Sequence, residues 1–296
     1  MKHFFKDKKK MIFLSVLILV VLAACSSPRD PETGEILAHK LIGLDTTFGS
    51  QLDLGLFDGI IVWPIAQLIN LVAKYSDAGI AITVVTMLLQ AVTSVFSIKA
   101  QVSSQKMQML QPEMQRIQQK YEGKTDDRSK MAMAQEMQQL YKKYDINPFG
   151  SILTMFLQFP LILGMWQGSQ RAQAVVEGSF LGINLTNTPG WGISNGQWTY
   201  VLIFVLMIIF QFVSFKFPQW QQKQREKNSK VKRKEYANPK KNSGLMGGMN
   251  MMMYGNILII GFLAFSWPIS MSFYWLVSSV ARVIQNIIIN KYFIKD

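Results

Sequence analysis

The chain has 296 residues, 49% hydrophobic and 17% charged, below the quarter of charged residues that soluble domains carry. That balance disfavours a soluble globular domain and makes a membrane protein the first expectation. The net charge of +13 would suggest nucleic acid in a soluble protein, but here its distribution along the chain points elsewhere. At the N-terminus the basic "MKHFFKDKKK" precedes "MIFLSVLILVVLAAC". A charged region followed by an apolar run too short for a lasting crossing reads as a secretory signal over 1–24, with an uncleaved anchor as the rival.

"LAAC" (Leu22 to Cys25) resembles the lipobox of bacterial lipoproteins, which implies lipidation of Cys25. Cys25 is the single cysteine, so disulfides are excluded and modification is favoured over redox chemistry. Residues 25–55, punctuated by Pro28, Pro31, Gly34, Gly43 and Gly49, read as an extracellular tether. The apolar stretch 56–78 is interrupted by Asp58, Pro64, Gln67, Asn70 and Lys74. It is expected to lie as an amphipathic helix in the outer interface, with Trp63 and Tyr75 as anchors; a sixth span is the rival.

Five segments then approach the roughly 20 residues that a bilayer core demands: 79–98, 149–168, 198–217, 249–267 and 269–290. Pro268 is expected to mark a tight turn between the last two. Segment 26–78 holds three Lys/Arg against seven Asp/Glu, whereas 97–146 holds nine basic residues and 216–241 holds ten. The positive-inside rule places the last two loops in the cytoplasm. The N-terminus is then outside, the tail 291–296 inside, and the protein resides in a bacterial plasma membrane as a multi-pass chain.

Between the first two spans, 99–145 carries Pro112, breaks at "EGKTDD" and resumes as "RSKMAMAQEMQQLYKKY". The pattern predicts two helices in an antiparallel cytoplasmic hairpin. Met107, Leu110, Met114, Ile117 and Tyr121 recur at steps of three and four, as do Met133, Met137, Leu140 and Tyr144. These stripes either pack the hairpin on itself or, through Met107, Met114, Met133 and Met137, accept varied apolar partners. The loop 218–248 is strongly basic; anionic lipid and topology control are one role for it, ribosomal RNA another.

Polar residues inside spans must find partners. Thr83, Thr86, Gln90, Thr93 and Ser97 share one face of the first span; Ser151, Thr154 and Gln158 follow the same rhythm in the second. Gln211 and Ser214 lie in the third, and Trp275, Ser278, Arg282 and Gln285 in the fifth. Each Ser or Thr can serve as interhelical glue. An arginine at a helix centre costs about 2.5–3.5 kcal/mol on insertion scales and marks hydration or function. Arg282 lies roughly 19 Å along its helix from Ile269, a depth comparable with Gln90, so the two are expected to face a wet groove. The chain's two histidines, His3 and His39, fall in the signal and the tether. Asp and Glu are absent from 146–176 and 178–225. No enzyme, metal or cofactor constellation emerges, and a proton-coupled transporter loses its usual carboxylate.

"INPFGSILTMFLQFPLILGMW" (Ile146 to Trp166), "WPISMSFYWLVSSVARVIQN" (Trp267 to Asn286) and "KAQVSSQKMQMLQPEMQRIQQKY" together resemble the YidC-type membrane protein insertases, in their Gram-positive lipoprotein form. The likeness covers 56–290. It implies an all-α polytopic membrane protein, with five transmembrane helices around a hydrophilic groove, a cytoplasmic hairpin and an outer interfacial helix. It also implies insertion and folding of nascent membrane proteins without nucleotide hydrolysis. The groove residues expected are Thr86, Gln90, Gln158, Gln211, Trp275, Ser278, Arg282 and Gln285. Nascent membrane proteins and the lipid bilayer are the expected partners, with the Sec translocon and the ribosome as further candidates. No small-molecule substrate, cofactor or metal is expected, and the chain is expected to act as a monomer. One departure stands out: the family usually carries an arginine where this chain has Gln90, and a nearby proline is missing. Arg282 is the substitute expected for that charge, with snorkelling to headgroups as the alternative. A small-solute channel and a scaffolding lipoprotein are the rival functions.

Overall fold

The computed structural model describes residues 28–30, 32, 34–147, 150–228 and 245–293. The expectations for the signal 1–24, for Cys25 and for most of the basic loop lie outside the described residues. Regular structure among the described residues is helical, with isolated bridges such as Ile42 to Ala172 in place of strands. In chain order the main helices are α1 (Phe48–Leu54), α2 (Trp63–Ala73), α3 (Ala78–Met109), α4 (Gln111–Lys120) and α5 (Asp127–Lys143). They are followed by α6 (Gly150–Arg171), α7 (Trp198–Asn228), α8 (Leu245–Ser266) and α9 (Ile269–Tyr292). Three stretches among the described residues are long and apolar enough to cross a membrane: Ala78–Met107, Trp198–Gln221 and Ile269–Tyr292.

Local chemistry sets the helix ends. Thr47 accepts from the Ser50 N–H at α1, and Asp77 Oδ1 accepts from the Ile80 N–H at 2.8 Å where α3 begins. Both supply the acceptor that the orphan donors of a first turn require. Pro64 and Pro112 occupy the first turns of α2 and α4, where a missing N–H costs nothing. At α9 the first donors go to a neighbouring loop: Ile269 N–H to the Asn187 carbonyl at 2.7 Å and Ser270 N–H to the Leu185 carbonyl at 3.0 Å. Trp267 and Pro268 alone separate α8 from α9.

The chain divides into two compact units: Met1–Ala91 with Phe156–Met207 and Leu263–Ser278, and Val92–Met155 with Ile208–Phe262 and Ser279–Asp296. In the first unit α2 and the turn before it, Asp58–Val62, lie against α6 at Gly168 and Gly164. A Cβ at 164 would stand 2.5 Å from Ile61 Cγ2, and one at 168 would stand 2.8 Å from Ile65 Cγ2. Backbones approach this closely where small residues line a helix interface. Ile82, Val85, Met165, Tyr200, Met207, Ile269 and Met271 form a core that is at most 1% exposed. Trp166 stacks on Trp267 at 5.1 Å between ring centres, and Trp267 on Trp275 at 5.7 Å.

The described residues of 25–55, the segment expected as a tether, make contacts within this unit. Ile42 is fully buried, and its N–H and C=O pair with the Arg171 carbonyl and the Gln173 N–H at 2.7 and 3.0 Å. Arg29 donates to Gln170 Oε1 at 3.1 Å and to the Thr186 carbonyl at 3.0 Å.

In the second unit α4 and α5 pair as a hairpin turning through Tyr121–Asp126. Met114 of α4 and Leu140 of α5 are buried. Lys120 and the Tyr121 hydroxyl both bind Glu136, and the Tyr144 hydroxyl donates to Glu113 at 3.2 Å.

Candidate functional site

The polar residues of the spans divide between the units. Arg282, Gln211 and Ser279 meet in the second. Gln211 follows Trp198 by 13 residues along α7, and its side chain is 1% exposed. Its Oε1 accepts from Ser279 Oγ at 2.5 Å and from Arg282 Nη2 at 2.7 Å, while Arg282 also donates to Ser279 Oγ at 2.9 Å. The guanidinium carbon stands 5.8 Å from the ring centre of Phe215, one turn beyond Gln211. Within this group an amide oxygen and a hydroxyl accept from the cation. α3, α6, α8 and α9 contain no Asp or Glu, and α7 contains only Glu226 near its end. The group is therefore rich in donors, and Gln211 Nε2 is buried with no hydrogen-bond partner among the described residues. In a low-dielectric setting such an arrangement favours a carbonyl or carboxylate acceptor.

Two further polar pairs belong to the same unit. Gln285 donates to Ser94, and Gln105 Nε2 donates to Asn286 Oδ1 at 2.8 Å. They tie α9 to the second half of α3, and the spacing of Arg282, Gln285 and Asn286 puts all three within about a turn.

Thr86, Gln90, Gln158, Trp275 and Ser278 belong to the first unit. Thr86 and Ser278 are at most 1% exposed, and their hydroxyls have no hydrogen-bond partner among the described residues. Trp275 is buried in the tryptophan stack. Gln90 and Gln158 are half-buried. Of the hairpin methionines, Met114 is buried, whereas Met107, Met133 and Met137 are half-buried.

A second cluster escaped the sequence reading. Arg171 ends α6 with its guanidinium buried, donating to Asp58, to Gln51 and to the Lys40 carbonyl. Asn70, which read only as an interruption, donates to the Ile42 carbonyl at 2.6 Å and accepts from the Ala174 N–H at 3.0 Å. The available signal was Arg171 itself, the lone cation from 144 to 215. Among the described residues no three His, Cys, Asp or Glu gather as metal ligands.

The family model described as 60Kd inner membrane protein matches residues 69–296. The chain is 26% identical over 286 residues to the membrane protein insertase MisCA of Bacillus subtilis, covering 96% of this chain and 92% of that protein. It is 27% identical over 295 residues to the membrane protein insertase YidC 1 of Streptococcus pyogenes, covering 99% and 89%. With the membrane protein insertase YidC of Oceanobacillus iheyensis it shares 28% over 239 residues, covering 80% and 84%.

Proposed function

This chain belongs to the 60Kd inner membrane protein family and is a membrane protein insertase, and we propose that its second unit supplies the polar surface on which an entering segment rests. The Gln211–Ser279–Arg282 group carries this reading: it places a cation and a buried amide donor on helices whose only carboxylate is Glu226, near the end of α7. Polar or acidic groups of a nascent chain find donors there, while its apolar length partitions into lipid. Each Leu, Ile, Phe or Val contributes about 0.3–0.6 kcal/mol on the insertion scale, so no nucleotide is required. Arg282 takes the role of the cation that the family usually places where Gln90 stands. The packed apolar core of the first unit speaks against a small-solute channel, which needs a wet path through both leaflets.

The topology proposed has five crossings, α3, α6, α7, α8 and α9, with the hairpin and the basic loop in the cytoplasm, α2 in the outer interface and Cys25 lipidated outside. The basic excess in 97–146 and 216–241 supports it. The hairpin's half-buried Met107, Met133 and Met137 suit clients of differing sequence.

A growth assay that depends on insertion tests the reading. Arg282→Ala is expected to lose insertion, and photoreactive residues at 94 and 285, in the same unit, are expected to crosslink a nascent membrane protein. An inert Arg282→Ala overturns the role given to that cation.

A further inference from the structure

We infer that α1 and the turn after it form a second lipid-immersed element, with Phe48, Leu52, Leu56 and Ile60 among the acyl chains of the outer leaflet. The inference rests on the reading that α3 and α6 span the bilayer. α2, continued backwards by the turn Asp58–Val62, has two apolar faces. Val62, Ile65, Ala66 and Ile69 are at most 4% exposed, yet Ile60 and Leu71 stand 58% and 50% exposed. The buried face meets α6 at Gly164 and Gly168. Gly164 lies seven residues before the end of α6 at Arg171, about 10 Å down the helix axis at 1.5 Å per residue. That puts Ile61 below the outer rim of the span. The other end of α2 is held to the same level, because Ala78 opens α3 only five residues after Ala73.

α1 is fastened to this turn. A Cβ at Gly59 would stand 2.9 Å from Leu52 Cα, and Phe48 meets Trp63 edge-on at 5.5 Å. Gln51, the one buried residue of α1, accepts from Arg171 and fixes which side faces inward. Phe48 and Leu52 remain partly exposed, and Leu56, just past the helix, is 67% exposed. A run of apolar side chains held outward this way marks a contact surface. Lipid is the occupant because the run continues the exposed stripe of α2 at the depth set by Gly164. No Lys or Arg stands between Lys40 and Lys74, whereas Asp45, Asp53 and Asp58 do, so the contact draws on apolar burial and gains nothing from anionic headgroups.

An environment-sensitive fluorescent amino acid placed at 56, at 71 or at the exposed position 39 in the full-length protein, reconstituted in vesicles, tests this. Emission from 56 is expected to be blue-shifted relative to 39 and quenched by phospholipids with brominated acyl chains, not by aqueous iodide. The result should be the same in zwitterionic and anionic vesicles and at high salt. Iodide quenching at 56 with lipid quenching at 71 overturns the role of α1 and leaves α2 in the interface. Iodide quenching at both positions overturns the interfacial reading of α2 as well. A blue shift at 56 without bromine quenching assigns the surface to a protein partner and overturns the lipid proposal.

Discussion

Arg171 binds Asp58 across 113 positions of sequence, with the arginine side chain 1% exposed and the aspartate 24% exposed. Gln51 and the Lys40 carbonyl take the guanidinium's other donors, so three segments close on one cation. Asp58→Ala leaves that cation buried without its charge partner, and about 3–5 kcal/mol of stability is expected to go with it. Arg171→Lys should not rescue, because an ammonium cannot reproduce the planar fork. Thermal unfolding of the reconstituted protein reads both; a Asp58→Ala variant that melts like the parent excludes a stabilising role.

Asn70 joins α2 to two backbone segments at once. Asn70→Ala orphans the Ala174 N–H and leaves the Ile42 carbonyl with the Gln173 N–H as its remaining donor, at a cost of about 1–3 kcal/mol. Asn70→Asp keeps the acceptor for Ala174 and loses the donor to Ile42, so hydrogen exchange at Ala174 should stay slower than in Asn70→Ala.

The contact of the Asp58–Val62 turn, just before α2, with α6 is set by Gly164 and Ile61. Gly164→Ala adds a methyl where there is no room and is expected to lower stability by about 1–3 kcal/mol, the usual range for overpacking. Ile61→Ala in the same chain should return most of that loss. Additive losses in this double-mutant cycle would show that the two positions do not interact.

Gln211 separates structure from function in the second unit. Gln211→Glu keeps an acceptor for Ser279 and Arg282 while adding a negative charge beside the guanidinium. The melting temperature is expected to hold or rise and insertion to fall, because the positive charge is then neutralised internally. Gln211→Leu removes the acceptor and should lower both. Normal insertion by a stably folded Gln211→Glu protein would count against Arg282 as the receiving charge.

The hairpin carries its own pH dependence. The Ser129 backbone N–H at the cap of α5 holds the Asp126 carboxyl below its ordinary value, and hydrogen bonds from Lys120 and then Tyr121 do the same for Glu136. Bonding to Glu136 raises Lys120 and Tyr121. Depressed acids stabilise the fold fully above the ordinary carboxylate range, and that contribution disappears as pH falls through their lowered values. The raised lysine contributes below its ordinary range and stops contributing as pH rises through its elevated value. Distances between spin labels on α4 and α5 of the full-length protein should be sharp near neutrality and broaden on acidification. Asp126→Asn with Glu136→Gln should show little change across the acid range.

Much of the candidate site was legible as residue types. The cost of Gln and Arg inside apolar runs singled out Gln211, Arg282 and Gln285, and period three to four put their neighbours on shared faces. Their partners were not legible: Gln211 meets Ser279 across 68 positions and Gln105 meets Asn286 across 181, separations over which no local pattern carries information. The same gap hid Arg171 with Asp58, 113 positions apart.

The sequence by itself determined the membrane class of the chain, the placement of its apolar runs, the break in the hairpin and the charge bias of its loops. These follow from hydropathy, helical period and turn chemistry, which act over a few residues. Only the tertiary structure decided which polar groups satisfy one another and which apolar faces stay outward. Hydrogen bonds demand contact at about 3 Å, and whether two distant segments come that close depends on how whole helices pack.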